Sequence, residues 1–270
     1  MEKIEELSKR IVNYSLEINK DDKVLITYQS QLCNDLVIGI IKEIKNIGAV
    51  VNTKLIDPVI NKELMLTTNE KRAELMGDYS KFEVEHYTAF VQIRYALNDY
   101  EDSDVSSELR NLISKYTRKY GEIRINERKW VLLNYPSPLD AYKAHQSIDK
   151  FKEYALDAMI TNYDDLNERM KPLKELMEKT DKVRIVGPNT DINFSIKNIP
   201  IIPCCGKSNL PDGEIFTAPI KNSVNGKITY NTPSPYHGSI FNNVSLEFKD
   251  GKIINATCDG DDKLLNEIFN

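Results

Sequence analysis

The residues whose types could do chemistry are densest between Cys204 and Pro219, in the run Cys204-Cys205-Gly206-Lys207-Ser208-Asn209-Leu210-Pro211-Asp212-Gly213-Glu214-Ile215-Phe216-Thr217-Ala218-Pro219. Pro211, Asp212 and Gly213 predict a tight turn that delivers Glu214 onto the start of a strand, with the direction of its carboxylate set by the backbone. A carboxylate held in this way suits a divalent metal, because hard cations bind oxygen and their ligands must be in place before the ion arrives. Spacing alone leaves a second reading open. The same residues also describe a surface turn followed by an exposed glutamate.

The other residues with catalytic or ligating chemistry are scattered. His86 lies in the charged run FEVEHY and reads as an exposed helix residue, and His145 in AYKAHQS reads as a structural or solvated position near a helix start. His237, in PSPYHGS beside Tyr236, is the one histidine in residues 183–270 and stays open as a ligand. There is no HExxH helix and no GxSxG elbow. Gly206-Lys207-Ser208 echoes the tail of a phosphate loop without its leading glycine spacing. Asp259-Gly260-Asp261-Asp262 lacks the alternating ligand ladder of a calcium loop and reads as a turn entering a helix capped by Asp261. Cys33, Cys204, Cys205 and Cys258 show no CxxC pair and read as reduced packing residues. Cys204 or Cys205 as a nucleophile would need a neighbouring base and a lowered pKa. No catalytic residue is assigned.

The elements that must position these residues change character along the chain. Residues 3–17 carry Ile4, Leu7, Ile11 and Val12 at helical spacing, and KVLITY at 23–28 is a buried strand. A helix from Leu36 to Ile47 follows, stopped by Gly48, and then the strand AVVNTKLID. Strand, helix and strand at these lengths predict a right-handed βαβ unit and a parallel sheet. The alternation continues through helices in 60–88, a strand at 89–96, a helix near 103–120 and a strand at 129–136. Residues 147–180 are a helical pair at the seam. Beyond it come short strands, with Asn225-Gly226 and Asp250-Gly251 both read as two-residue hairpin turns. The fold class is therefore α/β: a doubly wound, mostly parallel N-terminal domain at 1–182, then the hairpin-rich beginning of a second, α+β domain at 183–270.

Composition limits the partners. With 36 basic against 41 acidic residues, net charge −5, there is no footprint for a nucleic acid. The apolar runs are too short for a membrane span, and MEKIEELSKR opens a charged helix instead of a signal sequence, so a cytoplasmic location is expected.

The string NLPDGEIFTAP resembles the motif that opens the metal-binding domain of the aminopeptidase T and aminopeptidase S metallopeptidases. The resemblance extends through WVLLNYPSPLDAYKAHQS at 130–147, GPNTDINFSI at 187–196, CCGKSNLPDGEIFTAPIKNSVNGKI at 204–228 and NVSLEFKDGKI at 243–253. It implies a homodimeric aminopeptidase that acts on peptides through two divalent ions, which could be zinc, cobalt or manganese, with Glu214 as one ligand. It also implies further ligands: a glycine-glutamate segment, a histidine strand, a tyrosine and a histidine-aspartate pair. None of these has a counterpart in the 270 residues, so the expectation is an incomplete metal domain, inactive alone and holding metal weakly or not at all. A non-catalytic binding or assembly module derived from such a peptidase is the alternative. A nucleotide- or sugar-binding role for the α/β unit ranks last, because the first strand-to-helix turn, TYQSQLCND, lacks the glycines a pyrophosphate needs.

Overall fold

The structure is a computed structural model describing residues 2–236 and 239–269. Its backbone groups into two compact units. One comprises Met1–Tyr163 with Cys204–Gly213, and the other Asp164–Pro203 with Glu214–Asn270.

The first unit opens with helix α1 (Glu2–Lys9), which continues as a wider π-type turn over Arg10–Ser15 and buries Leu7, Ile11 and Val12. Strand β1 (Lys23–Tyr28) follows, rich in β-branched residues and buried at Val24, Leu25 and Ile26. Helix α2 (Asn34–Ile47) buries Leu36, Val37, Ile40 and Ile44 on one stripe. It ends where expected: Gly48 takes the left-handed conformation at φ 86° and donates its N–H to the carbonyls of Ile44 and Lys45. Then come β2 (Val50–Leu55), α3 (Pro58–Leu66), α4 (Glu70–His86), β3 (Ala89–Arg94), α5 (Ser107–Glu127), β4 (Lys129–Asn134), α6 (Pro138–Lys143) and α7 (Ile148–Met159). Helix α3 starts on Asp57, whose carboxylate accepts the N–H groups of Val59 and Ile60, with Pro58 in the first turn.

Strands β2, β1, β3 and β4 lie in that order and all pair in parallel, so the chain steps one way from β1 to β2 and the other way from β1 through β3 to β4. This is the doubly wound α/β sheet expected from the alternation of strands and helices. It has a fifth strand that the alternation did not reveal: β8 (Asn209–Leu210) pairs in parallel with β4, with Leu132 opposite Asn209 and Leu133 opposite Leu210. The two-residue length of β8 gives no period to read in a sequence.

In the second unit, β5 (Lys182–Gly187) and β6 (Thr190–Ser195) form an antiparallel hairpin after helix α8 (Tyr163–Glu178). Strand β7 (Ile202–Cys204) pairs with β9 (Glu214–Phe216). Strands β10 (Asn225–Thr229), β11 (Ser234–Tyr236), β12 (Ser239–Lys249) and β13 (Lys252–Asp259) complete an antiparallel sheet in the order β11-β12-β10-β6-β5, with β13 also on β12. Helix α9 (Asp262–Phe269) closes the described chain. Its Leu265 packs into a core of Phe241, Val244, Leu246 and Ala256. Asp261 caps it as expected, accepting the N–H of Leu264 at 3.0 Å.

Of the two expected hairpin turns, Asp250-Gly251 is one: both residues have positive φ, 48° and 75°, between β12 and β13. Asn225-Gly226 is not. Both residues belong to β10, where Gly226 pairs with Ile192 of β6 on one side and Phe248 of β12 on the other. The glycine is there because a Cβ would sit 2.2 Å from the Asp191 carbonyl oxygen, at a φ of 111°. Close backbone approach and a hairpin turn select the same residue, so the dipeptide alone cannot separate them. No helix among the described residues is long and apolar enough to cross a membrane.

Candidate functional site

The loop that leads to Glu214 is held by side chains of the first unit. Tyr14 Oη donates to the Cys205 carbonyl at 3.0 Å, and Ser15 Oγ to the Gly206 carbonyl at 2.5 Å. Lys207 Nζ donates to the Tyr14 carbonyl at 2.7 Å and to Glu17 Oε1 at 2.8 Å, and lies 4.1 Å from the centre of the Tyr14 ring. The Leu132 N–H donates to the Ser208 carbonyl at 2.8 Å, bringing the chain onto β4. These bonds explain why Gly206-Lys207-Ser208 is no phosphate loop: the lysine is committed to a carboxylate and a carbonyl, and the next residues form a strand.

Asp212 closes the loop from inside. Its Oδ2 accepts the Gly206 N–H at 2.8 Å and its Oδ1 the Gly213 N–H at 3.0 Å, while its own N–H donates to Tyr163 Oη at 3.3 Å. Tyr163 is wholly buried. Its hydroxyl donates to the Ala158 carbonyl at 3.3 Å, its ring stacks on Tyr14 at 6.0 Å, and the Arg10 guanidinium lies over both rings. Burial pushes the Tyr163 phenol up to about 12. Gly206, at φ 71°, passes so close to the ring that a Cβ would lie 2.7 Å from it. The turn expected from Pro211, Asp212 and Gly213 is therefore a clamp, with a cis Leu210-Pro211 bond and Gly213 at φ 148°. Nothing within the motif announces Tyr163, 49 residues upstream of Asp212, as its other half.

The clamp predicts that Tyr163→Phe lowers unfolding free energy by about 1–2 kcal/mol, the range for removing one partner of a buried hydrogen bond. Amide hydrogen exchange at Asp212 should accelerate more than exchange in β1. Equal acceleration in both would show that the hydroxyl does not act locally.

Glu214 stands at the head of β9, as the turn predicts, with its side chain exposed to solvent. Among the described residues no three histidine, cysteine, aspartate or glutamate side chains are grouped to hold a metal ion. A divalent ion takes at least four donors, typically three or more of them from protein. Glu214 by itself is not such a set, and the donors described in this chain do not complete a metal site.

The remaining candidates lie elsewhere. His86 ends α4, where its ring stacks on Phe82 at 4.0 Å and Nδ1 lies 2.9 Å from the Phe82 carbonyl oxygen. His145 is exposed just after α6, at φ 54°. His237 lies outside the described residues. None of the four cysteines is in a disulfide. Burial pushes the Cys205 thiol up, reinforced by the charge of Asp212, and burial with Asp35 takes Cys33 to about 11. Neither is an activated nucleophile.

The whole chain, residues 1–270, matches the profile of the thermophilic metalloprotease (M29) family. The chain belongs to this family. Among M29-like relatives, aminopeptidase PepS of Streptococcus thermophilus is 23% identical over 310 aligned positions, covering all of this chain and 73% of PepS. Aminopeptidase AmpS of Bacillus subtilis (strain 168) is 33% identical over 61 residues, 23% of this chain and 15% of AmpS. Wild-type AmpT from Thermus thermophilus superimposes with a TM-score of 0.77 over 98% of this chain and 74% of that one, at 16% identity, which shows a shared fold. The M29 match makes a metal-dependent peptidase the chemical class of the family.

Proposed function

We propose that this protein is a metal-dependent aminopeptidase that releases N-terminal residues from peptides, with Glu214 as one protein ligand of a site for two divalent ions such as zinc, cobalt or manganese. The observation that carries the proposal is the placement of Glu214: the first residue of a strand, directly after a loop closed by Asp212, in a chain that matches the M29 profile end to end. The donors among the described residues do not complete such a site, and the chain expressed alone is proposed to be inactive and to hold metal weakly. A cytoplasmic location and a homodimeric state belong to the same proposal.

The experiment compares the 270-residue chain with the protein purified from its own source, each as wild type and Glu214→Ala, for bound metal and for release of N-terminal residues from short peptides. The source protein should be active, and Glu214→Ala should lower kcat/KM by at least about 100-fold, the scale of losing a metal-holding group. The 270-residue chain should show neither tight metal nor turnover. An active source enzyme indifferent to Glu214→Ala would remove Glu214 from the site. A source protein without peptidase activity would leave a binding or assembly role.

A further inference from the structure

We propose that the strand ends on the α4 and α5 side of the parallel sheet form a site for one phosphate group, held by Arg94 and Arg124 with Thr27, Gln92 and Asn134.

The two faces of this sheet differ. On one, Val24, Ile26, Val91, Ile93, Val131 and Leu133 are all buried. The other begins in the same way, with Leu25, Phe90 and Trp130 on one rung, packed against Val84, Tyr87, Tyr120 and Ile123 of the covering helices and their ends. Side chains return to a face at every second residue. The next rung of that face is therefore Lys54, Thr27, Gln92 and Leu132, and the one after it carries Arg94 and Asn134. An apolar surface turns polar toward the carboxyl ends of the strands, which is where open α/β sheets take ligands. Glu83 and Arg124 sit next in sequence to Val84 and Ile123, so the helices bring both to the border of the apolar patch.

The polar groups there are uncommitted. Among the described residues, the side chains of Thr27, Gln92, Arg94, Arg124 and Asn134 make no hydrogen bond or ion pair, and none of their polar atoms is sealed from solvent. Arg94 and Asn134 are exposed, while Thr27, Gln92 and Arg124 are half-buried. A solvated surface accounts for the first two and not for Arg124. Burial pushes the Arg124 guanidinium down, Glu83 pulls it back, and the like charge of Arg94 pushes it down again. Two neighbouring guanidiniums, one of them half-buried and neither bonded to a carboxylate, cost free energy that an anion between them recovers.

The charge of the place selects phosphate over carboxylate. Lys54, Arg94 and Arg124 face one carboxylate, Glu83, which lies 2.5 Å from Lys54 Nζ, so two positive charges are left over. The acidic loop after β3 does not cancel them, because Asp99 pairs with Lys143, Glu101 with Lys62 and Asp102 with Arg110. A phosphate monoester carries about −1.5 to −2 at neutral pH and three acceptor oxygens, where a carboxylate carries one charge and two oxygens. Donors rising from the sheet and one descending from α5 suit the tetrahedral group. A dinucleotide is not implied, since the first strand-to-helix turn lacks the glycines.

The test is titration calorimetry near pH 8 at low salt on wild type, Arg94→Gln, Arg124→Gln and Arg118→Gln, with inorganic phosphate, phosphoserine and serine as probes. Arg118 is the control for net charge: it lies on the same helix, exposed and paired with Glu122. Wild type should bind phosphate or phosphoserine and not serine. Arg94→Gln and Arg124→Gln should each weaken that binding about 10-fold or more, the scale of a charge-assisted hydrogen bond, and Arg118→Gln should leave it unchanged. Tighter inorganic phosphate identifies the free ion as the ligand, and tighter phosphoserine a phosphomonoester. Without phosphate, Arg124→Gln should melt no lower than wild type, because no bond is lost. Arg94→Gln, at an exposed position, carries the test by itself if Arg124→Gln does not fold. Absence of saturable binding overturns the site, as does binding that Arg94→Gln leaves intact or that all three variants weaken alike. Equal binding of serine and phosphoserine overturns the assignment to phosphate.

Discussion

Asp22→Ala is expected to lower unfolding free energy by about 2–4 kcal/mol at pH 7, because it breaks a buried ion pair at the point where three strands of the parallel sheet begin. Asp22 is 5% exposed and accepts three hydrogen bonds: from the Asn19 N–H at 2.9 Å, from Thr88 Oγ1 at 2.7 Å and from Lys129 Nζ at 2.7 Å. Thr88 precedes β3 and Lys129 opens β4, while Asp22 itself precedes β1. Its carbonyl also accepts the N–H of Val50 at the start of β2. The lysine side chain is 36% exposed and can turn toward water once the carboxylate is gone, which keeps the cost below that of a fully sealed pair.

The same residue gives the stability a defined dependence on acid. Burial pushes the Asp22 carboxyl up, but Lys129, the Asn19 amide and the Thr88 hydroxyl together hold it below the usual carboxylate range. A group depressed on folding stabilises fully above its unfolded pKa, near 4, and loses that contribution as pH falls through the lower folded value. Urea unfolding of wild type and Asp22→Asn should therefore differ most at neutral pH and converge toward pH 2. A gap that is the same at both ends would mean the carboxylate charge is not what matters.

Gly226→Ala is expected to cost the second unit about 3–5 kcal/mol, since the added methyl meets backbone on the neighbouring strand and no side-chain rotation can relieve it. The obstacles are the Asp191 carbonyl oxygen at 2.2 Å and the Ile192 Cα at 3.0 Å, and the residue is already at φ 111°. Hydrogen exchange should rise in β6, β10 and β12. The control is Gly121→Ala in α5, where a Cβ meets nothing within 4 Å. There the substitution should stabilise by up to about 1 kcal/mol, because alanine replaces glycine inside a helix. If Gly226→Ala is as benign as Gly121→Ala, β10 is not held as described.

These two sites mark how far local sequence carries the fold. Strand β1, helix α2 and its Gly48 stop were legible because periodicity and capping act within a few residues. The strand at Glu214 was legible for the same reason, since Pro211, Asp212 and Gly213 lie next to it. Asn225-Gly226 was misread because the reason for its glycine is Asp191, 35 residues away. The clamp on the Glu214 loop depends on Tyr163 and Tyr14, and β8 depends on β4. Such pairings leave no pattern within either partner. The metal chemistry of the family was legible only through the motif's resemblance, because one carboxylate on a turn has no spacing that distinguishes a ligand from a surface residue.

The fifth strand of the parallel sheet has a consequence for the order of events at the ribosome. Residues 209–210 are made only after β5 and β6 have been synthesised, so the first sheet waits for its last strand while the start of the other unit is already available to fold. At ~5–20 residues per second the delay after Tyr163 is a few seconds, long compared with collapse of a domain this size. During that interval the edge of β4 has no strand beside it. A nascent chain stalled shortly before Asn209 should therefore be the most vulnerable length to proteolysis and self-association, and one stalled well past Gly213 should be protected.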